Sequence, residues 1–503
     1  MEKKELSVHI TTWNVGNAEP SKKLNECIPQ GLYDIYAIGV QECAYPPKAP
    51  YPTALDDWTG RIEKHLGEDY VPVSSFSITP YSTNTYVTPE SFRQAVSQGK
   101  AKPGEIRIGI YIRLDYLDLL SDIGEGHKTT GRLEGLSGNK GGLGVTFKLG
   151  HTRFCFITAH LNAHDSEVKR RNEDAWNILN ALTHQSFSSS VEDEFSFGSH
   201  SPTSSSTFSF SSSSATTRSF AYNIEASQSH YTFFFGDLNY RIGHPLEETI
   251  ELIQHQDWRY LLEKDQLLEE QKKGNVLCNF KEPNIDFAPT FKVVREKVEF
   301  EYNTSRIPSY CDRILYKTFP GLPITPVFYK AIPQITTSDH KPVCALFNTT
   351  IYLLSQLERT TLSKMNRPTY KLKFENITVT NLNQDAKSVA GPKASIVVDA
   401  YFEVANEKTV YSSSPVSFKN PDSSLVWKGK ALQVFMKLTE HLLFYSFVVL
   451  SVRDVGGVEK IGEVVLPISQ FELKKSSKIS LDMYQRGLLS ATFSANVTLK
   501  EIL

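Results

Sequence analysis

A chain of 503 residues with 40% hydrophobic content can build about two to four packed domains, which excludes a disordered or fibrous protein. Its 54 basic and 56 acidic residues nearly cancel, to a net charge of −2. No overall field draws it to nucleic acid or to an anionic bilayer, so any anion recognition must be local.

In chain order, apolar strand-like runs cover 8–13, 36–40, 154–158 and 231–235, and each stops at a polar cluster: TTWNVGN, GVQE, TAHLNAH and FFFGDLNYR. A fifth cluster, TTSDHKPV, precedes an apolar run near 343–347. Strands alternate with helical patterns to about 347, which indicates a layered α/β domain over 1–350. A helix is expected over about 166–185 with Asp165 as its N-cap. Between it and the strand at 231 lies an insert, about 186–229, whose first 34 residues (186–219) hold 16 serines. That composition buries too little apolar area to offset its ordering entropy, and it reads as a flexible surface loop. Residues 351–368 read as a linker with helical character near 353–362 and a stop at Pro368. Beyond it, alternating runs such as KLKFENITV and FYSFVVLSV predict an all-β sandwich over 369–503.

Cys27, Cys43, Cys155, Cys278, Cys311 and Cys344 form no CxxC pair and read as reduced thiols of an intracellular protein. The start, MEKKELSVHI, lacks the apolar segment of a signal peptide, and no window approaches the ~20 apolar residues of a membrane span.

Amide, carboxylate and imidazole groups therefore gather at the tips of strands, where leaving each one buried and unpaired would cost about 1–3 kcal/mol. Convergence on a metal and a phosphate explains them. Glu42 is a hard oxygen donor suited to Mg2+, which takes one or two protein carboxylates. Asn14 can hold the metal or a carboxylate by hydrogen bonds. Asp237 with Asn239, and His160 with Asn162, are two apart and so share a side in extended chain. Asp339 and His340 add a further acid and imidazole. Phosphate-ester hydrolysis uses such a set: a metal, a base for water, and donors around phosphorus. No cysteine is followed by an arginine at the sixth position, which disfavours a covalent thiolate mechanism. GLSGNKGGLG lacks the GxxxxGK[ST] spacing of a nucleotide loop, but Lys140 and its glycines can present a cation and N–H groups to a phosphate.

Taken together, TWNVGN, GVQE, GNKGG, TAHLNAH with the following RRN, FFGDLNYRIG, PTFK, RIPSYCDRIL and TSDHKPV resemble, in order, the inositol polyphosphate 5-phosphatases of the endonuclease/exonuclease/phosphatase superfamily. The resemblance implies a four-layer α/β sandwich that removes the 5-phosphate of an inositol ring with Mg2+. It implies that Glu42, Asn14 and Asp339 serve the metal. Asp237 would orient or deprotonate water, and Asn239 would donate to the pentacoordinate phosphorus. His160 and His340, the latter oriented by Asp312, would contact the reacting phosphate. Lys140, Asn162, Arg241, Lys292, Arg306, Tyr310 and Arg313 would line the substrate. The selecting positions depart from the family's pattern: Phe291 replaces a tyrosine, Thr304 stands near a usual lysine, and Tyr310 replaces a tryptophan.

Residues 369–503 resemble a C2 domain, and the pairing resembles the SHIP-type enzymes. Only Asp399 and Asp454 occupy its expected calcium loops, with Gly456 where an aspartate is usual, so calcium binding there is not expected. The implied protein is a monomer, cytoplasmic and peripheral at the cytosolic face of membranes. It would act on phosphoinositide lipids or soluble inositol phosphates and not on nucleic acid. A weakly active lipid-binding scaffold is the alternative.

Overall fold

A computed structural model describes residues 2–45, 50–51, 53–78, 105–131, 139–183, 229–389, 393–400, 409–417, 424–427, 429, 431–454 and 460–502. The serine-rich insert up to residue 228, residues 132–138 of the glycine-rich segment, and Gly456 lie outside the described residues.

Eleven strands form the first unit among the described residues: β1 (Glu2–Asn14), β2 (Ile35–Gln41), β3 (Tyr70–Ile78), β4 (Ile106–Arg113), β5 (Leu120–Thr129), β6 (Gly141–Leu149), β7 (Thr152–His160), β8 (Tyr231–Asp237), β9 (Asp312–Thr318), β10 (Ile324–Ala331) and β11 (Val343–Leu353). They make a sheet ordered β10-β11-β1-β2-β4-β3 and a second ordered β5-β6-β7-β8-β9. Central strands such as β2 and β8 are buried along their whole length, because both faces are covered. Between the sheets lie Val8, Ile10, Ile108, Phe147, Phe156, Phe233 and Phe347. Helix Ala54–Leu66 packs Trp58, Ile62 and Leu66 against Trp13, Ile38 and Val40 on the outside of the first sheet. On the second sheet, helices Val168–Thr183 and Gln266–Lys272 set Ala175, Ile178 and Leu267 against Ile157 and Phe234. The result is the expected four-layer α/β sandwich.

Strand direction brings the polar clusters to one edge. β1 and β2 are parallel, as are β7 and β8, so all four end on that edge. β11 runs antiparallel to β1 with Thr12 opposite Val343, β9 to β8 with Asp237 opposite Asp312, and β6 to β7 with Gly141 opposite His160. Those three strands therefore begin where the others end, and Lys140, Asp312 and His340 arrive beside Asn14, Glu42, His160 and Asp237.

β11 runs to Leu353, pairing with Glu2, three residues past the boundary expected at 350. The linker helix forms over Gln356–Lys364, started by a capping box in which Ser355 and Glu358 satisfy each other's backbone N–H. The C-terminal residues form a curled antiparallel sheet of ten strands among the described residues. It closes as a β-sandwich around Phe374, Trp427, Val434, Leu450, Leu466 and Phe493. The two units share packing: Phe447 and Val449 of the sandwich belong to the same core cluster as the residues between the two sheets of the first unit. The Phe447 ring is 5.1 Å from that of Phe319, Arg486 stacks 4.0 Å over Trp176, and Gly487 O accepts from Cys278 N at 2.7 Å.

The two sheets approach closely at Gly39, where a Cβ would meet Thr158 Oγ1 and lie 2.6 Å from the Phe235 ring. Gly39→Ala is expected to destabilise the protein by about 1–3 kcal/mol through overpacking. Urea unfolding should show a lower midpoint at unchanged slope; an unaltered midpoint would refute the close approach.

Candidate active site

The expected strands end one to two residues later than their apolar runs, since ladder pairing carries Asn14, His160 and Asp237 into the strands themselves. These side chains are thus fixed by sheet register rather than by loop conformation. Glu42 and Asn239, just past strand ends, take positive φ of 51° and 57°, a region that non-glycine residues seldom occupy outside functional or tightly held turns.

Asp237 is the meeting point. Its Oδ2 accepts from Asn14 Nδ2 at 2.9 Å across the gap between the sheets, and lies 3.2 Å from His160 Nε2 and 4.0 Å from His340 Nε2. Its Oδ1 accepts from Asn239 N at 3.1 Å. Burial alone would push this carboxyl up, but the charges and hydrogen bonds of His160, His340 and Lys140 prevail and hold it well below the usual carboxylate range. His340 Nδ1 is 2.9 Å from Asp312 Oδ2, which also accepts from Thr290 Oγ1 at 2.7 Å. Burial opposes the charged ring; the Asp312 and Asp237 carboxylates outweigh it and raise the His340 pKa to about 9. His340 is therefore an imidazolium at neutral pH, its Nε2 directed at Asp237. Burial and the Lys140 charge lower the His160 pKa, and its Nε2, the atom that faces Asp237 Oδ2, also meets Lys140 Nζ. Among the described residues its Nδ1 is buried without a partner, as is Arg241 Nη1. Each such polar atom costs about 1–3 kcal/mol until a partner such as a phosphate group arrives.

A divalent cation fits this donor set. The Glu42 carboxylate, 37% exposed, accepts no hydrogen bond among the described residues and lies 3.9 Å from His160 Nε2. Among the described residues Asn14 Oδ1 accepts only from Gly16 N, at 3.0 Å, and keeps a lone pair. Asp237, Asp312 and His340 also offer atoms within 4.8 Å of one another. An imidazolium committed to Asp312 is not a ligand, however, so Glu42 with Asn14 is the better seat for a hard cation.

Several expected substrate contacts are placed differently. Tyr310 is fully buried, donating to Phe287 O at 2.9 Å. Arg313 is fully buried as well, tied to Asp265 at 3.0 Å and to Glu282 at 2.5 Å. Neither reaches a ligand: the interior spends the hydroxyl on a carbonyl and the guanidinium on two carboxylates. Asp339, expected on the metal side, sits between Lys292 at 3.5 Å and Arg295 at 3.1 Å, and a carboxylate already balanced by two cations is a poor ligand for a third. Asn162 is drawn back by Asp174, to which its N and Nδ2 donate at 3.0 and 2.6 Å. Asn239 Nδ2 donates to Leu161 O at 3.1 Å, leaving one N–H, while its Oδ1 accepts from Arg241 Nη2 at 2.6 Å. Arg241 lies 4.4 Å over the Phe291 ring, whose other neighbour, His340, is 4.5 Å away. Arg306 is exposed. Thr290 and Arg295 were missed: Thr290 lies inside the recognised PTFK string, while Arg295 has no sequence signal beyond its charge.

The chain is similar to known proteins in family and in fold. Residues 11–346 match the family described as Endonuclease/Exonuclease/phosphatase family 2. The chain is 25% identical over 512 residues to phosphatidylinositol 3,4,5-trisphosphate 5-phosphatase 2A of Danio rerio, covering 96% of this chain and 34% of that protein. It is 28% identical over 369 residues to the Homo sapiens phosphatidylinositol 3,4,5-trisphosphate 5-phosphatase 1, covering 68% of this chain and 26% of that protein. The chain thus spans a quarter to a third of the length of these curated relatives. Among solved structures, the inositol polyphosphate 5-phosphatase domain of spsynaptojanin, in complex with inositol (1,4)-bisphosphate and a calcium ion, superimposes with a TM-score of 0.51 at 24% identity. That match covers 70% of this chain and 86% of that one, and it shows the shared fold.

Asp312→Asn should lower the His340 pKa from about 9, because the carboxylate that favours the imidazolium is gone. Titration of the ring protons by NMR in metal-free protein checks it, and an unmoved midpoint would clear Asp312 of that role. The sign carries over to stability. A raised imidazole pKa contributes fully below the ordinary 6.5 and is lost as pH rises through about 9.

Proposed function

The chain belongs to the Endonuclease/Exonuclease/phosphatase family 2, and on that premise we propose that it is a Mg2+-dependent phosphatase that removes the 5-phosphate of inositides. Its substrates in this reading are PtdIns(3,4,5)P3, PtdIns(4,5)P2 or their soluble inositol phosphate counterparts. The observation that carries the proposal is the convergence of Asn14, His160 and His340 on one ionised carboxylate, Asp237, from strands of both sheets.

Each residue then has a task. Asp237, kept ionised, accepts a hydrogen bond from the attacking water and aligns it with phosphorus; so strongly acidic a group orients better than it deprotonates. The His340 imidazolium donates from Nε2 to a phosphate oxygen, with Asp312 and Thr290 fixing the ring. Arg241 Nη1, buried and without a partner among the described residues, offers a further donor, and Lys140 adds positive charge beside His160. Asn239 positions Arg241 through its carbonyl and side-chain oxygens. A Mg2+ held by Glu42 and Asn14 would neutralise charge on the phosphate and on the departing inositol oxygen. Water oxygen bonds to phosphorus as the ester P–O bond breaks, yielding inorganic phosphate and the ring alcohol.

Among the described residues no helix is long and apolar enough to cross a membrane. Lipid substrate must then be reached from the surface, and the sandwich unit, read as C2-like, would steady the protein there from the cytosolic side.

Phosphate release from a panel of inositides, with Mg2+ and with chelator, tests the assignment; no release from any 5-phosphorylated member would overturn it. Asp237→Asn should lower kcat by about 10²–10⁴-fold with an unchanged circular dichroism spectrum. In the same assay Glu42→Gln should raise the Mg2+ concentration for half-maximal rate by about tenfold or more. An unshifted metal titration would remove Glu42 from the metal seat.

A further inference from the structure

We propose that Gln266 is a positioning residue for Arg241: its one carboxamide fixes the backbone of that arginine and ties it to the segment that follows His160. The inference rests on the inositide phosphatase reading and extends it to a residue outside every recognised motif.

His160 and Asp237 are set by ladder pairing, but the segments that follow them, 161–165 and 238–242, run past the ends of β7 and β8. Something other than sheet register must hold them. Gln266, the first residue of helix Gln266–Lys272, supplies it. Its Oε1 accepts from Arg241 N at 3.0 Å, and its backbone N donates to Arg241 O at 2.9 Å. Both backbone polar groups of the arginine are thus taken by a single residue. The pairing continues as Ile242 bridges Asp265 and Gly243 N donates to Lys264 O at 2.8 Å.

The same side chain reaches the other segment. Its Nε2 donates to Asp165 O at 3.2 Å, and its Oε1 takes a second hydrogen bond, from Arg171 Nη2 at 2.6 Å. Arg171 is fully buried, and its Nη1 donates to Asn162 O at 3.2 Å and to His164 O at 2.6 Å. A carboxamide can accept twice and donate at once; a carboxylate cannot donate, and an aliphatic chain can do neither. Asn239 holds the Arg241 guanidinium, and Gln266 holds its backbone end. Between them they leave Nη1, buried and without a partner among the described residues, as the group that meets a phosphate oxygen.

Gln266 contacts residue 241 through its backbone only, so R241A keeps every one of those contacts while removing the guanidinium. This separates positioning from support of the fold. The measurement is kcat/KM for inositol 1,4,5-trisphosphate with Mg2+, in wild type, Q266A, R241A and the double variant. Q266A should lower it by about ten- to a hundredfold in the wild-type background but by less than about twofold in R241A, where no guanidinium is left to misplace. Any fall in the unfolding midpoint should be equal in both backgrounds. Gln266 lines an open cavity beside helix Val168–Thr183, so water can reach the freed N–H groups and Q266A should fold. If it does not, Q266N, which withdraws the amide by one methylene, is read in the same cycle. An equal factor lost in both backgrounds would reduce Gln266 to a structural tie, and an undiminished rate in the Gln266 variant would also overturn the proposal. If wild type releases no phosphate from this compound or from any inositide lipid, the parent reading fails instead.

Discussion

A buried carboxylate kept ionised is the constraint on which this structure turns. Asp237 is 1% exposed, and removal from water would by itself neutralise it. It stays charged because Asn14 from one sheet, His160 from the neighbouring strand, and His340 from the segment leading into β11 all reach it. These partners arrive only if both sheets have formed in register and closed face to face. The arrangement of the site is therefore a consequence of the completed core, and mispairing of any central strand by one residue would turn one of these side chains away.

Two carboxylates of opposite character stand within 4.8 Å of the same imidazole. Burial, His340 and a direct partner treat them differently: Asp237 is pulled down, whereas burial pushes Asp312 up. Groups driven apart in this way divide labour. Asp312 is shut behind His340 and Thr290 and serves the ring. Asp237 faces Asn14 and His160, and in the proposed reaction it serves the water.

Much of this was legible in the chain, for a local reason. A run of apolar residues that stops at Asn, Asp or His announces a buried strand whose tip is polar, and that rule located Asn14, His160 and Asp237. Register then supplied what the pattern lacks, namely that β9 and β11 begin where β1 and β8 end. The failures were of another kind. Tyr310 and Arg313 lie in a recognised string, but whether such side chains face a ligand or the interior depends on partners far away in sequence, here Phe287, Asp265 and Glu282. Arg295 is the converse case. Nothing beside it in sequence marks it, and only the approach of Gly16 and Asp339 gives it a place. For the same reason Asp339 read as a metal ligand until its two cations were seen.

The second unit bears on the first through β9. Asp312 opens that strand at the reactive edge, and one residue past its far end Phe319 packs against Phe447 of the sandwich, 5.1 Å between rings, with His230 alongside. One strand thus has the imidazole-orienting carboxylate at its head and the inter-unit apolar contact at its foot. Because protein interiors pack like crystals and transmit displacement, the sandwich cannot shift on its neighbour without loading the strand that orients His340. The chain's near-zero net charge sharpens the point. With no global field to bring in an anion, recognition falls to a few cations placed by backbone geometry, and the accuracy of that placement depends on packing that spans both units.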